Sequence, residues 1–88
     1  MNLNYNKLYY IYVTTRSASL TDAAAKLFVS QSSLSKSMRE LQDSLGVELF
    51  RHSGRNLALT YPGEILKEEC EKLFSSEDEI LQRLRHAT

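Results

Sequence analysis

The stretch Ser19-Leu20-Thr21-Asp22-Ala23-Ala24-Ala25-Lys26-Leu27-Phe28-Val29-Ser30-Gln31-Ser32-Ser33-Leu34-Ser35 leaves few folds open. It holds two helix starts with little room between them. Ser19 is suited to cap a helix, and Asp22, three residues on, can answer free backbone N–H groups. Three alanines follow, with high helix propensity and no bulk, so a second helix can approach closely. Ser30 suits a second cap, and Phe28-Val29-Ser30 is the expected turn, without a glycine. Gln31, Ser32, Ser33 and Ser35 then open a helix with short hydrogen-bonding side chains, and Lys36 and Arg39 come next. A helix that starts this way suits entry by its N-terminal end into the major groove of DNA.

A chain of 88 residues makes one domain, or one small domain with an arm. A single core of that size is marginal alone, which favours a partner chain. No run of about 18 apolar residues is present, so no membrane-spanning helix is expected, and the first residues lack the pattern of a secretory leader. The one cysteine, Cys70, excludes an internal disulfide and fits a reducing cytoplasm. The net charge is zero, but it is unevenly spread. Residues 1–60 hold seven Lys/Arg and four acids, a balance of +3, whereas residues 61–88 hold four and seven, a balance of −3. The two parts therefore present different surfaces.

Leu8, Ile11, Tyr12 and Thr15 recur at helical spacing and predict a helix over about residues 4–16, broken by Ser17-Ala18-Ser19. A second helix is expected over Leu20–Leu27. A third is expected from Gln31 to about Leu45, with Leu34, Met38, Leu41 and Leu45 as its buried stripe and Gly46 as a left-handed stop. Residues 47–59 read as a hairpin, with Leu49, Leu57 and Leu59 facing inward and Arg51 and Arg55 beside a Ser53-Gly54 turn. Thr60 can cap a last helix, with Pro62 in its first turn and Glu64 near its positive end. Run to the C-terminus, that helix is on the order of 40 Å long. Leu66, Cys70, Leu73, Glu77, Ile80 and Leu84 form a heptad seam with one polar break, widened by Ile65, Phe74 and Leu81. A core of about 60 residues cannot cover such a face, so the expected interface between two copies is Leu66, Cys70, Leu73, Phe74, Ile80, Leu81 and Leu84.

The combined order Ser19-Leu20-Thr21, Ala23-Ala24, Leu27, Val29-Ser30-Gln31, Leu34-Ser35, Leu41, Leu45-Gly46-Val47, Leu49-Phe50-Arg51, Arg55, Leu59-Thr60 and Gly63 resembles the N-terminal domain of LysR-type bacterial transcriptional regulators over residues 3–65. The resemblance implies a mostly α fold: a winged helix-turn-helix of three helices and a short β-hairpin wing, followed by a long linker and dimerisation helix. The domains expected are residues 3–60, with the helix-turn-helix at about 20–39 and the wing at about 48–59, and the linker helix over residues 61–88. It also implies a dimer on double-stranded DNA, a tetramer in a longer form, and a small-molecule effector only where a C-terminal effector domain exists; that domain is absent from this sequence. Three positions depart from the family pattern. Ser32 stands where proline is common, Ala18 where glycine is common, and Lys36 where arginine is frequent. If position 18 needs a positive φ, alanine costs about 1 kcal/mol there.

The expected DNA-contacting set is Thr21, Ser30, Gln31, Ser32, Ser33, Ser35, Lys36, Arg39, Arg51 and Arg55. Gln31 can read adenine through N6 and N7, while Lys36, Arg39 and Arg51 reach phosphates. Thr21, at a helix start, can add a phosphate hydrogen bond. Arg55 suits a narrow minor groove. The bland alternatives are a solvated charged face with Glu40 and Asp43 nearby, and serines that only cap. Tyr5, Tyr9, Tyr10 and Tyr12 are expected in the core and at a dimer contact rather than as a stacking platform. His52, His86 and Cys70 make no metal set, so no metal, no cofactor and no enzymatic activity are expected. The expected location is the bacterial cytoplasm, at the nucleoid. Two other readings use the same residues: a winged-helix domain of another bacterial regulator, such as a molybdate-responsive type, and a winged-helix module turned to protein interaction.

Overall fold

The computed structural model describes residues 3–53 and 56–88. Its element order is α1 (Tyr5–Thr15), α2 (Leu20–Leu27), α3 (Gln31–Leu45), β1 (Phe50–Ser53), β2 (Asn56–Leu59) and α4 (Tyr61–His86). The winged helix-turn-helix with a long final helix expected from the sequence is the fold observed.

Local chemistry sets the helix ends. The Ser19 hydroxyl accepts from the Asp22 backbone N–H at 3.0 Å, and Asp22 Oδ2 accepts from the Ala18 N–H at 3.1 Å. This reciprocal pair closes the start of α2. That bond, and then Lys26 at 3.1 Å, holds the Asp22 carboxyl below its ordinary value. Ser30 accepts from the Ser33 N–H at 3.1 Å and opens α3, and Thr60 accepts from the Gly63 N–H at 3.1 Å and opens α4. Gly46 ends α3 at φ 70°.

The turn between α2 and α3 closes differently from a glycine turn. Phe28 itself takes the left-handed conformation, φ 58° and ψ 39°. Its N–H donates to Ala25 O at 3.2 Å, and the Val29 N–H donates to Ala24 O at 3.1 Å, the pair of bonds of a Schellman stop. Among the described residues, only Phe28 combines a positive φ with a side chain. Ala18 is therefore not strained, and the penalty considered for it falls on Phe28 instead.

The core is a single cluster: Leu8 and Ile11 of α1, Ala23 and Ala24 of α2, Leu34, Met38 and Leu41 of α3, Leu49, and Cys70 and Phe74 of α4. Leu45 is half-buried at its edge. Cys70, placed in the expected dimer seam by heptad spacing, and Phe74, expected to widen that seam, are instead buried against α1 of the same chain. Cys70 is 2% exposed, with its sulfur 4.0 Å from Leu8 O. The Phe74 ring meets Tyr5, Tyr9 and Tyr12 at 5.2, 5.3 and 4.9 Å between centroids. Spacing alone identifies an apolar face but not the element that covers it. Leu66, also in the expected seam, is half-buried against this core.

The hairpin pairs Phe50 with Leu59, Arg51 with Ala58, His52 with Leu57 and Ser53 with Asn56. This register puts Phe50, rather than Leu49, on the face of Leu57 and Leu59. Leu49 is buried just before the strand. Past Phe74, every residue of α4 is exposed, so the last half of the helix projects from a molecule of 49 × 29 × 18 Å.

Candidate nucleic-acid interface

The first turn of α3 carries Gln31, Ser32 and Ser33, all exposed, with Ser35 half-buried one turn along. Gln31, Ser32, Ser35 and Arg39 line one shallow groove. Lys36 and Arg39 are exposed and make no ion pair among the described residues. Glu40, the acid nearest to them in sequence, is engaged by Lys7 of α1 at 3.6 Å. The outer face of α3 therefore keeps its two cations available, without the neutralising partner that a merely solvated charged face would supply.

The serines divide their work. Ser30 is a cap first, and its hydroxyl also donates to Ser33 Oγ at 2.9 Å and lies 3.3 Å from Ser32 Oγ. Thr21 does not stand free for a phosphate. Its hydroxyl donates to Gln31 Oε1 at 3.1 Å. A hydroxyl has one proton, so this bond and a bond to a phosphate oxygen exclude each other.

Gln42 is a site residue that the sequence reading missed. Its Oε1 accepts from the backbone N–H groups of Leu49 at 2.8 Å and Phe50 at 3.0 Å. One amide oxygen thus ties the last turn of α3 to the start of β1 and sets the wing against that helix. A cleft lined by Leu20, Ser35, Met38, Arg39, Gln42, Phe50 and Leu57 lies between them. No local signal announces this link, because it joins residues seven and eight positions apart through a turn. On the wing, Arg51 is exposed and lies 3.6 Å from Glu48. Arg55 lies outside the described residues. The wing is fixed at its base as well: Thr60 donates to Glu48 O at 2.6 Å, and its N–H donates to Leu49 O at 3.0 Å.

In the expected dimer seam, Leu73, Ile80, Leu81 and Leu84 are exposed by 42, 58, 44 and 61%, and Ile65 by 45%. Among the described residues, no helix is long and apolar enough to cross a membrane, and no three His, Cys, Asp or Glu side chains gather as a metal set would.

Comparison with known proteins agrees with this architecture. The family profile described as "Bacterial regulatory helix-turn-helix protein, lysR family" matches residues 5–64. The HTH-type transcriptional regulator CysB of Burkholderia cenocepacia is 46% identical over 66 residues, 74% of this chain and 21% of that protein. The glycine cleavage system transcriptional activator of Escherichia coli is 35% identical over 80 residues, 91% of this chain and 26% of that protein. The chain thus spans about a fifth to a quarter of the length of these relatives. Among solved structures, the BenM DNA-binding domain in complex with benA site 1 DNA superposes with a TM-score of 0.85 at 27% identity, covering all of both chains. The CbnR DNA-binding domain in complex with DNA gives 0.81 at 27% identity, covering 96% of this chain and 97% of that one. The capped helix pair, the hairpin and the profile match over most of the chain lead to one conclusion: this protein belongs to the LysR family of bacterial regulatory helix-turn-helix proteins.

Proposed function

We propose that this chain is the DNA-reading domain of a transcriptional regulator and binds a roughly palindromic duplex site as a dimer. The observation that carries this reading is the outer face of α3. It joins a capped, hydroxyl-rich first turn to Lys36 and Arg39, which no acid neutralises among the described residues. In this reading Lys36, Arg39, Arg51 and backbone amides hold phosphates, Gln31 and Ser33 with Ser32 and Ser35 meet base edges, and Arg55 enters the minor groove. The matching fold of the BenM and CbnR DNA-binding domains, each in complex with DNA, supports the assignment. The reading places the protein in the bacterial cytoplasm, at the nucleoid, with the linker helix over residues 61–88 as dimerisation element. The projecting half of α4, with Leu73, Ile80, Leu81 and Leu84 exposed, supports a second copy as partner. That partner doubles the phosphate contacts and sets the spacing of two half-sites.

Titration of the chain on duplex DNA over a salt series tests the first part. The expected result is a steep fall in affinity as salt rises; affinity that is flat with salt would sink the assignment. Sedimentation tests the second part. The parent chain should run as a dimer at high micromolar concentration. Replacing Leu73 and Ile80 by glutamate should give monomers, because each substitution puts an unpaired charge in an apolar contact. A parent chain that is monomeric at that concentration would refute the dimer.

A further inference from the structure

We propose that Thr21 is a positioning residue: it turns Gln31 so that the amide nitrogen faces DNA, and so selects guanine or thymine over adenine at the contacted position. The inference rests on the reading of α3 as the DNA-contacting helix and goes beyond it by naming the base class.

Gln31 is the first residue of α3 and Thr21 the second of α2, both exposed. The Thr21 Oγ1 to Gln31 Oε1 bond of 3.1 Å spans the turn between the two helices. Ser19 and Ser30 fix both helix starts, so the two side chains meet from a rigid frame. A glutamine amide has one oxygen, which accepts, and one nitrogen, which donates twice. The usual adenine contact uses both atoms at once, the nitrogen to N7 and the oxygen from N6. Here the oxygen is drawn back to α2 and already accepts a proton. The group left to face outward is the NH2. Its partners in the major groove are acceptors: O6 and N7 of guanine, or O4 of thymine. Cytosine offers a donor there, and adenine sets its N6 donor beside the acceptor N7, where it opposes a second donor. The same bond uses the one Thr21 proton, so Thr21 acts on DNA through Gln31 and not on a phosphate.

The test is selection from a random duplex library followed by sequencing, run with the full chain and with Thr21→Ser, Thr21→Val, Thr21→Ala and Gln31→Ala. Gln31→Ala identifies the contacted position as the one whose preference is lost. The wild type and Thr21→Ser, which keeps the donor, should select guanine or thymine there. Thr21→Val and Thr21→Ala free the amide oxygen and should move the preference towards adenine by roughly 5- to 150-fold, the span of one bidentate base contact. A merely structural threonine would change overall affinity and leave the base profile alone. Adenine or cytosine at that position in the wild type overturns the proposal, as does a wild-type profile in both Thr21→Val and Thr21→Ala, or a Gln31→Ala profile with no position lost. Each of those outcomes leaves the DNA-reading assignment standing. That assignment falls, and this proposal with it, if the wild type selects no sequence and binds without salt dependence. Thr21 is exposed, so its variants should melt with the parent.

Discussion

Replacing Gly63 by alanine tests the packing of α4 on the wing, and two principles predict opposite signs for it. Helix propensity says that alanine in place of glycine in a helix stabilises by up to about 1 kcal/mol. Geometry says the reverse. Gly63 has an ordinary helical backbone and is buried in the first turn of α4. A Cβ built there would lie 2.2 Å from the carbonyl oxygen of Leu49 and 3.2 Å from its carbon. Leu59 Cδ2 stands 3.2 Å away as well. The first obstacle is backbone, so no rotamer change relieves it. The first turn of α4 would have to back away from Leu49 by about 1 Å to restore an ordinary van der Waals contact. The same Leu49 oxygen accepts from the Thr60 N–H at 3.0 Å, and the Thr60 hydroxyl holds Glu48 O at 2.6 Å. Backing away stretches both bonds, each worth about 1 kcal/mol. Overpacking adds about 1–3 kcal/mol. Against the propensity gain, the net loss is roughly 2–4 kcal/mol, and at roughly 4–8 °C per kcal/mol for a domain of this size the melting temperature should fall by about 10–30 °C. Thermal and urea melts by circular dichroism at one fixed protein concentration measure this. Gly46→Ala is the control: its added carbon meets nothing within 4 Å, so only the left-handed penalty at φ +70° applies, about 1 kcal/mol. A Gly63→Ala chain that melts with or above the parent would refute the close-approach argument.

Other perturbations separate the remaining parts of the account. Gln31→Ala should lose roughly 1–3 kcal/mol on a selected site and little on random DNA, whereas Lys36→Ala should weaken both alike and reduce the salt slope by about one; equal losses on both DNAs for Gln31→Ala would make Gln31 a positioning contact only. Phe28→Gly should raise stability by up to about 1 kcal/mol by removing left-handed strain, because a side chain 95% exposed gives up almost no packing; a lower melting temperature would show that the ring has a partner. Burial, and then Glu69, push the Cys70 thiol above its ordinary value of 9.0. The folded chain therefore keeps its proton where the unfolded chain has lost it. Stability from this group should be intact below 9.0 and decline as pH rises beyond it, and native Cys70 should resist alkylation until urea opens the core; rapid labelling of the native chain would contradict its burial.

The helix boundaries were legible because each is written within three residues. Ser19, Ser30 and Thr60 cap through their own side chains, and Gly46 stops α3 with its own φ. The exposed polar turn of α3 was legible for the same reason. What stayed hidden depends on distant partners. Helical spacing puts Cys70 and its neighbour Phe74 on one apolar face, but the choice between a second copy and α1 was made by four aromatic rings brought together in three dimensions. Alternation along the hairpin pointed to Leu49, where pairing with β2 chose Phe50. Gln42 reads as an ordinary surface glutamine until the chain returns to lay two N–H groups on it. The left-handed turn fell on Phe28, where no glycine announced it.

The Gln42 link also makes the domain a caliper. With one oxygen holding the start of β1 to α3, sliding the base of the wing along the helix to follow a stretched target would break two hydrogen bonds. On the proposed reading, the gap between the bases met by Gln31 and the groove met by the wing is a fixed length set inside the protein. A base pair inserted between those two footprints would then have to be absorbed by bending or twisting the DNA, which costs on the order of 1–6 kcal/mol.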